Sequence, residues 1–166
     1  MRIVIVGAEE KYWGGIAKIK AQNVIFELLS ELKPDTLISG HCPAGGVDIW
    51  AEGYAYILGI RTEIYKPETM QWHGISGKRG FRDRNLQIAS SDFDAFYVIS
   101  PVHNGELVWN GGEYTANHAE KTRLKHTRVF TRIRISESGV VQMATTTQDV
   151  KPTRILLDHP ESVEFI

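Results

Sequence analysis

The amino-acid sequence predicts an α/β domain: a three-layer fold with a mainly parallel sheet of about five strands and a C-terminal β-hairpin extension. Three observations predict it. Short β-branched apolar runs alternate with amphipathic helical segments through residues 1–135. Several of these runs open into polar, glycine-bearing loops, as strands do before a crossover helix. No linker or internal repeat interrupts the 166 residues, so the chain reads as one domain with a core at 1–135 and a hairpin and tail at 136–166.

The elements follow in order. Residues 3–6 form a buried strand ending at Gly7, and a polar loop covers 8–15. Ile16, Ile19, Val24, Ile25, Leu28, Leu29 and Leu32 recur at helical spacing until Pro34 stops the helix. Residues 36–38 are the second strand and enter Ser39-Gly40. The next helix starts near Asp48, carries Ile49, Ala51, Tyr54, Ala55 and Leu58, and has Gly59 at its C-cap. Residues 61–65 are the third strand, ended by Pro67, and the aperiodic stretch 68–80 is a long loop. A short helix over 82–90, a strand over 95–99 ended by Pro101, a helix over 114–124 and a strand over 128–135 complete the core. Residues 136–139 are a turn, 140–147 the return strand of a hairpin, and 151–166 carry no pattern that assigns them.

Composition bounds the function. Apolar residues at 42% and charged residues at 23% describe a soluble globular chain. The net charge of −1 provides no field for holding a long nucleic acid by counterion release, although one small anion needs only a local patch. Cys42 is the single cysteine, which excludes an intramolecular disulfide and a cysteine zinc site. The six histidines show no His-x-x-x-His spacing, so no metal is expected; no cofactor is expected either. The apolar N-terminus is too short to span a membrane and lacks a signal-cleavage pattern, so a cytoplasmic protein with no membrane partner is expected.

Three segments carry candidate chemistry. In Ser39-Gly40-His41-Cys42-Pro43-Ala44-Gly45-Gly46-Val47-Asp48 a strand enters and a helix leaves. Gly45 and Gly46 let backbone N–H groups approach an anion, and a helix N-terminus favours negative charge. Asp48 reads equally as a helix cap or as an acceptor for a ribose hydroxyl. Asn110-Gly111-Gly112-Glu113-Tyr114-Thr115 is a second glycine-rich helix start, and two such starts on one sheet edge face each other across a ligand. Arg82, Arg84 and Asn85 lie in the basic run 78–85, which reads either as a phosphate clamp, for which arginine is the better bidentate donor, or as a solvated basic face partly paired with Asp83. Trp13, Trp72 and Trp109 fall in loops near the expected cleft, and a loop tryptophan either stacks on a base or packs its own loop. No Gly-x-Gly-x-x-Gly follows the first strand, and neither a P-loop nor a Gly-x-Ser-x-Gly elbow is present.

The segment Ile38 through Glu52 resembles the strand-loop-helix signature of the SLOG superfamily of Rossmann-like nucleotide-binding domains, which includes the Lonely Guy phosphoribohydrolases and the DNA-processing protein A fold. Arg82-Asp83-Arg84-Asn85 resembles the arginine-asparagine helix start of that group, and Gly111-Gly112-Glu113-Tyr114-Thr115 its second glycine-rich motif. The resemblance implies a nucleotide pocket formed by these loops and a homodimer or larger homo-oligomer; Gly7, at the C-terminal end of the first strand, is a further expected ligand-binding residue. The Lonely Guy enzymes carry Pro-Gly-Gly-x-Gly-Thr-x-x-Glu; here Asn110 stands for the proline, Tyr114 for the third glycine and His118 for the glutamate whose carboxylate serves their reaction.

Three functions are expected in order. The first is nucleotide binding or sensing, which needs only phosphate-binding loops and a stacking wall. The second is hydrolysis of a nucleotide N-glycosidic bond, which needs a carboxylate; Asp48, Glu52 and Glu113 are the candidates. The third is nucleic-acid binding through Arg123, Lys125, Arg128, Arg132 and Arg134, against which the near-neutral charge speaks.

Overall fold

A computed structural model describes residues 1–122 and 126–150. Its strands are β1 (Arg2–Gly7), β2 (Thr36–Ser39), β3 (Arg61–Ile64), β4 (Ala95–His103), β5 (Glu106–Leu107), β6 (Arg128–Ser136) and β7 (Val141–Gln148). Its helices are α1 (Gly15–Leu32), α2 (Val47–Ile57), α3 (Phe81–Ala89) and α4 (Gly111–Lys121), with a 3-10 turn at Glu10–Tyr12. The sheet runs β3-β2-β1-β4-β6-β7, with β5 paired to β4. β3, β2, β1, β4 and β6 are mutually parallel; β5 and β7 run antiparallel to their neighbours. The fold is therefore the expected Rossmann-like α/β sandwich with a C-terminal hairpin.

Strand alternation builds the two cores. Ile3, Ile5, Leu37, Ile99, Ile133 and Ile135 face α1 and α2, meeting Ala21, Ile25, Leu29, Val47 and Ala51. Val4, Val6, Ile38, Phe96, Val98 and Phe130 face the other layer, with Ile88 and Ala89 of α3 and Ala116 and Ala119 of α4. Both faces of the central strands are covered, which explains why β1 reads as a continuous apolar run.

Local differences from the sequence reading have identifiable causes. α1 ends because Lys33 takes the left-handed conformation at φ 44°, one residue before Pro34. β4 continues through Pro101, beyond the end of β1 at the Gly7–Ile99 pair, where a proline disturbs no ladder with β1. The last helix of the core begins at Gly111, three residues earlier than its apolar spacing predicts, because Asn110 caps it. Its expected C-terminal residue, Leu124, lies outside the described residues, as do Arg123, Lys125 and the tail at 151–166. No described helix is long and apolar enough to cross a membrane.

Candidate functional site

β1 stands at the turning point of the topology. The chain moves outward from β1 to β2 and β3, then crosses to β4 on the other side of β1. α1 leaves β1 on one face of the sheet and α4 leaves β4 on the other, so a crevice opens over the C-terminal ends of these two strands. A cavity of about 100 Å³ occupies it.

Gly7 is the cavity floor, and its lack of a side chain is required. A Cβ there would stand 2.1 Å from the Ile99 carbonyl oxygen and 2.7 Å from Val47 Cγ2. A Cβ on Gly112 would stand 2.8 Å from the Gly7 Cα. This glycine-on-glycine contact lets α4 begin directly over the end of β1. Asn110 caps α4: its Oδ1 accepts from the Gly112 and Glu113 amides at 2.9 and 3.4 Å. Its Nδ2 donates to Ser100 Oγ at 2.8 Å. Gly111, the first residue of α4, has no intrahelical partner for its N–H and lines the cavity.

Asp48 lies on the opposite wall and is buried. It is the second residue of α2, whose N-cap is Gly46, so it is not the cap itself. Burial pushes its carboxyl up to about 6; Arg84 pulls in the opposite direction, and the Cys42 and Gly7 amides help hold the charged form. Arg84 is also buried. Its Nη1 donates to the Gly40 carbonyl and stands 3.8 Å from Asp48 Oδ2, while its Nε donates to Asn85 Oδ1 at 2.8 Å. Among the described residues its Nη2 makes no hydrogen bond, and the guanidinium forms part of the cavity wall.

The structure thus brings Gly7, Asp48, Arg84, Asn85, Gly111, Gly112 and Thr115 together around one cavity. It does not bring there the other expected residues. Gly45 packs over Glu10, and Gly46 lies against the backbone of residues 8–10. Gly40 lies beneath the Arg84 guanidinium. Ser39 is buried and donates to Glu52 Oε1 at 2.7 Å, while His41 Nδ1 lies 2.6 Å from Glu52 Oε2. Arg82 is exposed beside Asp83. Glu113 points away from the cavity: Ser100 Oγ donates to its Oε1 at 2.9 Å, and Arg132 Nε lies 3.7 Å from its Oε2. Of the three candidate carboxylates only Asp48 lines the cavity.

Two cavity residues escape the motif reading. Glu9 follows β1 at the turning point of the topology, a positional signal without a motif. Val6 belongs to the floor strand. Cys42 and Phe81 lie inside or beside the candidate segments and also line the wall. Burial raises the Cys42 thiol pKa, which makes it a poor nucleophile. The tryptophans separate cleanly. Trp72 lines the cavity and packs edge-on against Tyr114 at 4.9 Å, with His118 against Tyr114 at 4.4 Å. Trp13 is buried against Trp50 and donates to the Ala8 carbonyl, and Trp109 is exposed away from the cavity.

Arg128 and Arg132 of the basic strand are paired internally, whereas Arg134 Nε is buried with no hydrogen-bond partner among the described residues. Arg128 Nη2 donates to the carbonyls of Ala119 and Thr122, and Arg132 to Glu120 and Asn117. No family model matches this chain, and neither a curated protein nor a solved structure matches it.

Proposed function

We propose that the chain binds a nucleotide or a nucleotide-derived phosphate compound in the cavity over Gly7. One observation carries this reading: the first turns of α3 and α4, with Asp48 of α2, meet at a single glycine-floored cavity at the turning point of a parallel sheet. Helix N-termini favour anions, and such crevices are where open α/β sheets hold ligands. The ligand's phosphate takes the Gly111 N–H and Arg84 Nη2, and Asp48 accepts a sugar hydroxyl. A cavity of about 100 Å³ is smaller than a whole nucleotide. The base therefore lies at the mouth, against Trp72, which is 39% exposed. The SLOG resemblance of residues 38–52 and 82–85 supports the same reading.

The test is calorimetric titration with a panel of nucleoside monophosphates and their nucleosides. Saturable binding with at least tenfold preference for the phosphorylated form is expected, since a charge-assisted hydrogen bond contributes about 1.5–3 kcal/mol. Equal affinity for both forms would remove the phosphate from the reading.

A second reading, N-glycosidic hydrolysis, rests on Asp48. A carboxyl raised to about 6 in a cleft is a candidate acid or base. Chromatography for released base after long incubation separates the readings. Base release by wild type that disappears in Asp48→Asn supports hydrolysis; binding without release supports a binding or sensing domain.

A further inference from the structure

Two edges bound the sheet among the described residues, and they are built differently. β3 is four residues long, carries Arg61 and Glu63, and is followed by Pro67. Short length, charge and proline are the devices that keep a sheet edge from pairing. β7 has none of them. It runs for eight residues, Val-Gln-Met-Ala-Thr-Thr-Thr-Gln, with no charge and no proline. It pairs with β6 in unbroken register from Ile135–Val141 to Arg128–Gln148, so no bulge twists it away.

The ladder defines which backbone groups face outward. The Ser136 N–H donates to the Val140 carbonyl at 3.0 Å. Alternation in an antiparallel ladder then turns the N–H and C=O of Val141, Met143, Thr145 and Thr147 away from β6. Exposed apolar side chains adjoin this edge: Val140 and Met143 are 59% and 60% exposed, and Ile16 of α1 is 62% exposed. Ile16 sits beside the hairpin tip, since a Cβ on Gly139 would lie 2.9 Å from Ile16 Cγ2.

We propose that β7 is the interface for a second copy of this chain, the two β7 strands pairing antiparallel across a twofold axis into one continuous sheet. The strand is self-complementary in the way a twofold demands. With Ala144 opposite its own counterpart, Val141 faces Thr147 of the second copy and Met143 faces Thr145. All the outward ladder groups then pair, giving about eight interchain hydrogen bonds. The smallest side chain of the strand stands at the axis, and no like charges meet across it.

Ala144→Glu tests this directly. Ala144 is exposed and registers against Arg132 of its own β6, so a carboxylate there is compatible with the fold. Across the axis it meets an identical carboxylate. By light scattering on a sizing column the full-length wild type is expected to be a dimer. Ala144→Glu should weaken the dimer by at least about tenfold with an unchanged circular dichroism spectrum. An equimolar mixture with Ala144→Lys should restore it. Thr145→Pro is the second variant: its N–H points outward, so it removes interchain bonds without breaking the β6 ladder. A wild type that is monomeric at its highest soluble concentration overturns the proposal. So does a dimer indifferent to both variants. Slow hydrogen exchange at Met143 and Thr145 in a monomer also overturns it, because the chain itself then covers the edge.

Discussion

Gly45-Gly46 and Gly111-Gly112 are equivalent in the sequence and opposite in the structure. Each pair lies in the connection from a parallel strand, β2 or β4, to the helix it opens. Gly111-Gly112 fronts the cavity, and its neighbour across the contact is another glycine at the end of β1. Gly45-Gly46 meets no ligand space. Both residues have positive φ, at 78° and 93°, and a Cβ on Gly46 would stand 2.3 Å from the Ala8 carbonyl oxygen. In Gly111-Gly112, Gly112 seats the helix on Gly7 and Gly111 leaves room for something outside the chain. Gly45-Gly46 only lets the chain fold tightly on itself. A glycine-rich helix start is thus a statement about close approach, and what approaches is decided by the neighbouring strand.

The contrast breaks most visibly at Gly46. Gly46→Val combines a left-handed φ with a backbone clash, so it should destabilise the fold by about 3 kcal/mol or more. In a chain of this size that lowers Tm by roughly 6–12 °C, measurable by calorimetry. A Gly46→Val protein as stable as wild type would mean that the tight loop is not needed.

Asp48 sharpens the contrast, because it lies on the helix that Gly46 opens yet belongs to the cavity. Its folded carboxyl, at about 6, sits above its unfolded value of 3.8, so between these values the folded state holds more protons. Stability therefore falls as pH rises from about 4 to about 6, by up to about 3 kcal/mol from this group. Asp48→Asn should flatten that part of the difference profile in denaturant titrations. Nucleoside binding has the opposite sign: a hydroxyl is accepted best by the charged carboxylate, so wild-type affinity should rise from pH 5 to pH 7 while that of Asp48→Asn stays level. An affinity that falls over this range would put the ligand's anionic group, rather than its hydroxyl, beside Asp48.

Asn110→Ala produces a smaller effect. It removes the cap of α4 and a bond to buried Ser100. The expected loss is about 1 kcal/mol, a Tm drop of roughly 2–4 °C. Unchanged stability would mean that water replaces the cap.

Much of the fold was legible because its signals are local. Residues 3–6 announce a doubly covered strand by being apolar throughout, and Ile16 to Leu32 announce a helix by spacing. Edges were harder: β5 is two residues long, and β3 carries too many charges to signal more than a strand in alternating order. The site was half legible. Loops after parallel strands are readable from element order, which identified Gly7, Asp48 and Gly111. Side-chain direction is not. Glu113 is adjacent to the cavity glycine Gly112, yet helical rotation turns it toward Ser100 and Arg132. Arg84 and Arg82 are two apart on α3, and only Arg84 reaches the cavity. Burial in the third dimension separates such neighbours, and no motif encodes it.

Gly111→Val has the smallest expected effect on the fold and the largest on the proposed function. A Cβ at Gly111 would meet only Asn85 Nδ2, at 3.3 Å, so the variant should unfold within about 1 kcal/mol of wild type. Its methyl groups would occupy the cavity above Gly7. The decisive measurement is calorimetric titration of wild type and Gly111→Val with the tightest-binding nucleoside monophosphate of the panel. Saturable binding to wild type and a loss of at least about tenfold in the folded variant are expected. Undiminished affinity in Gly111→Val, or no binding of any nucleotide to wild type, would contradict the proposed binding.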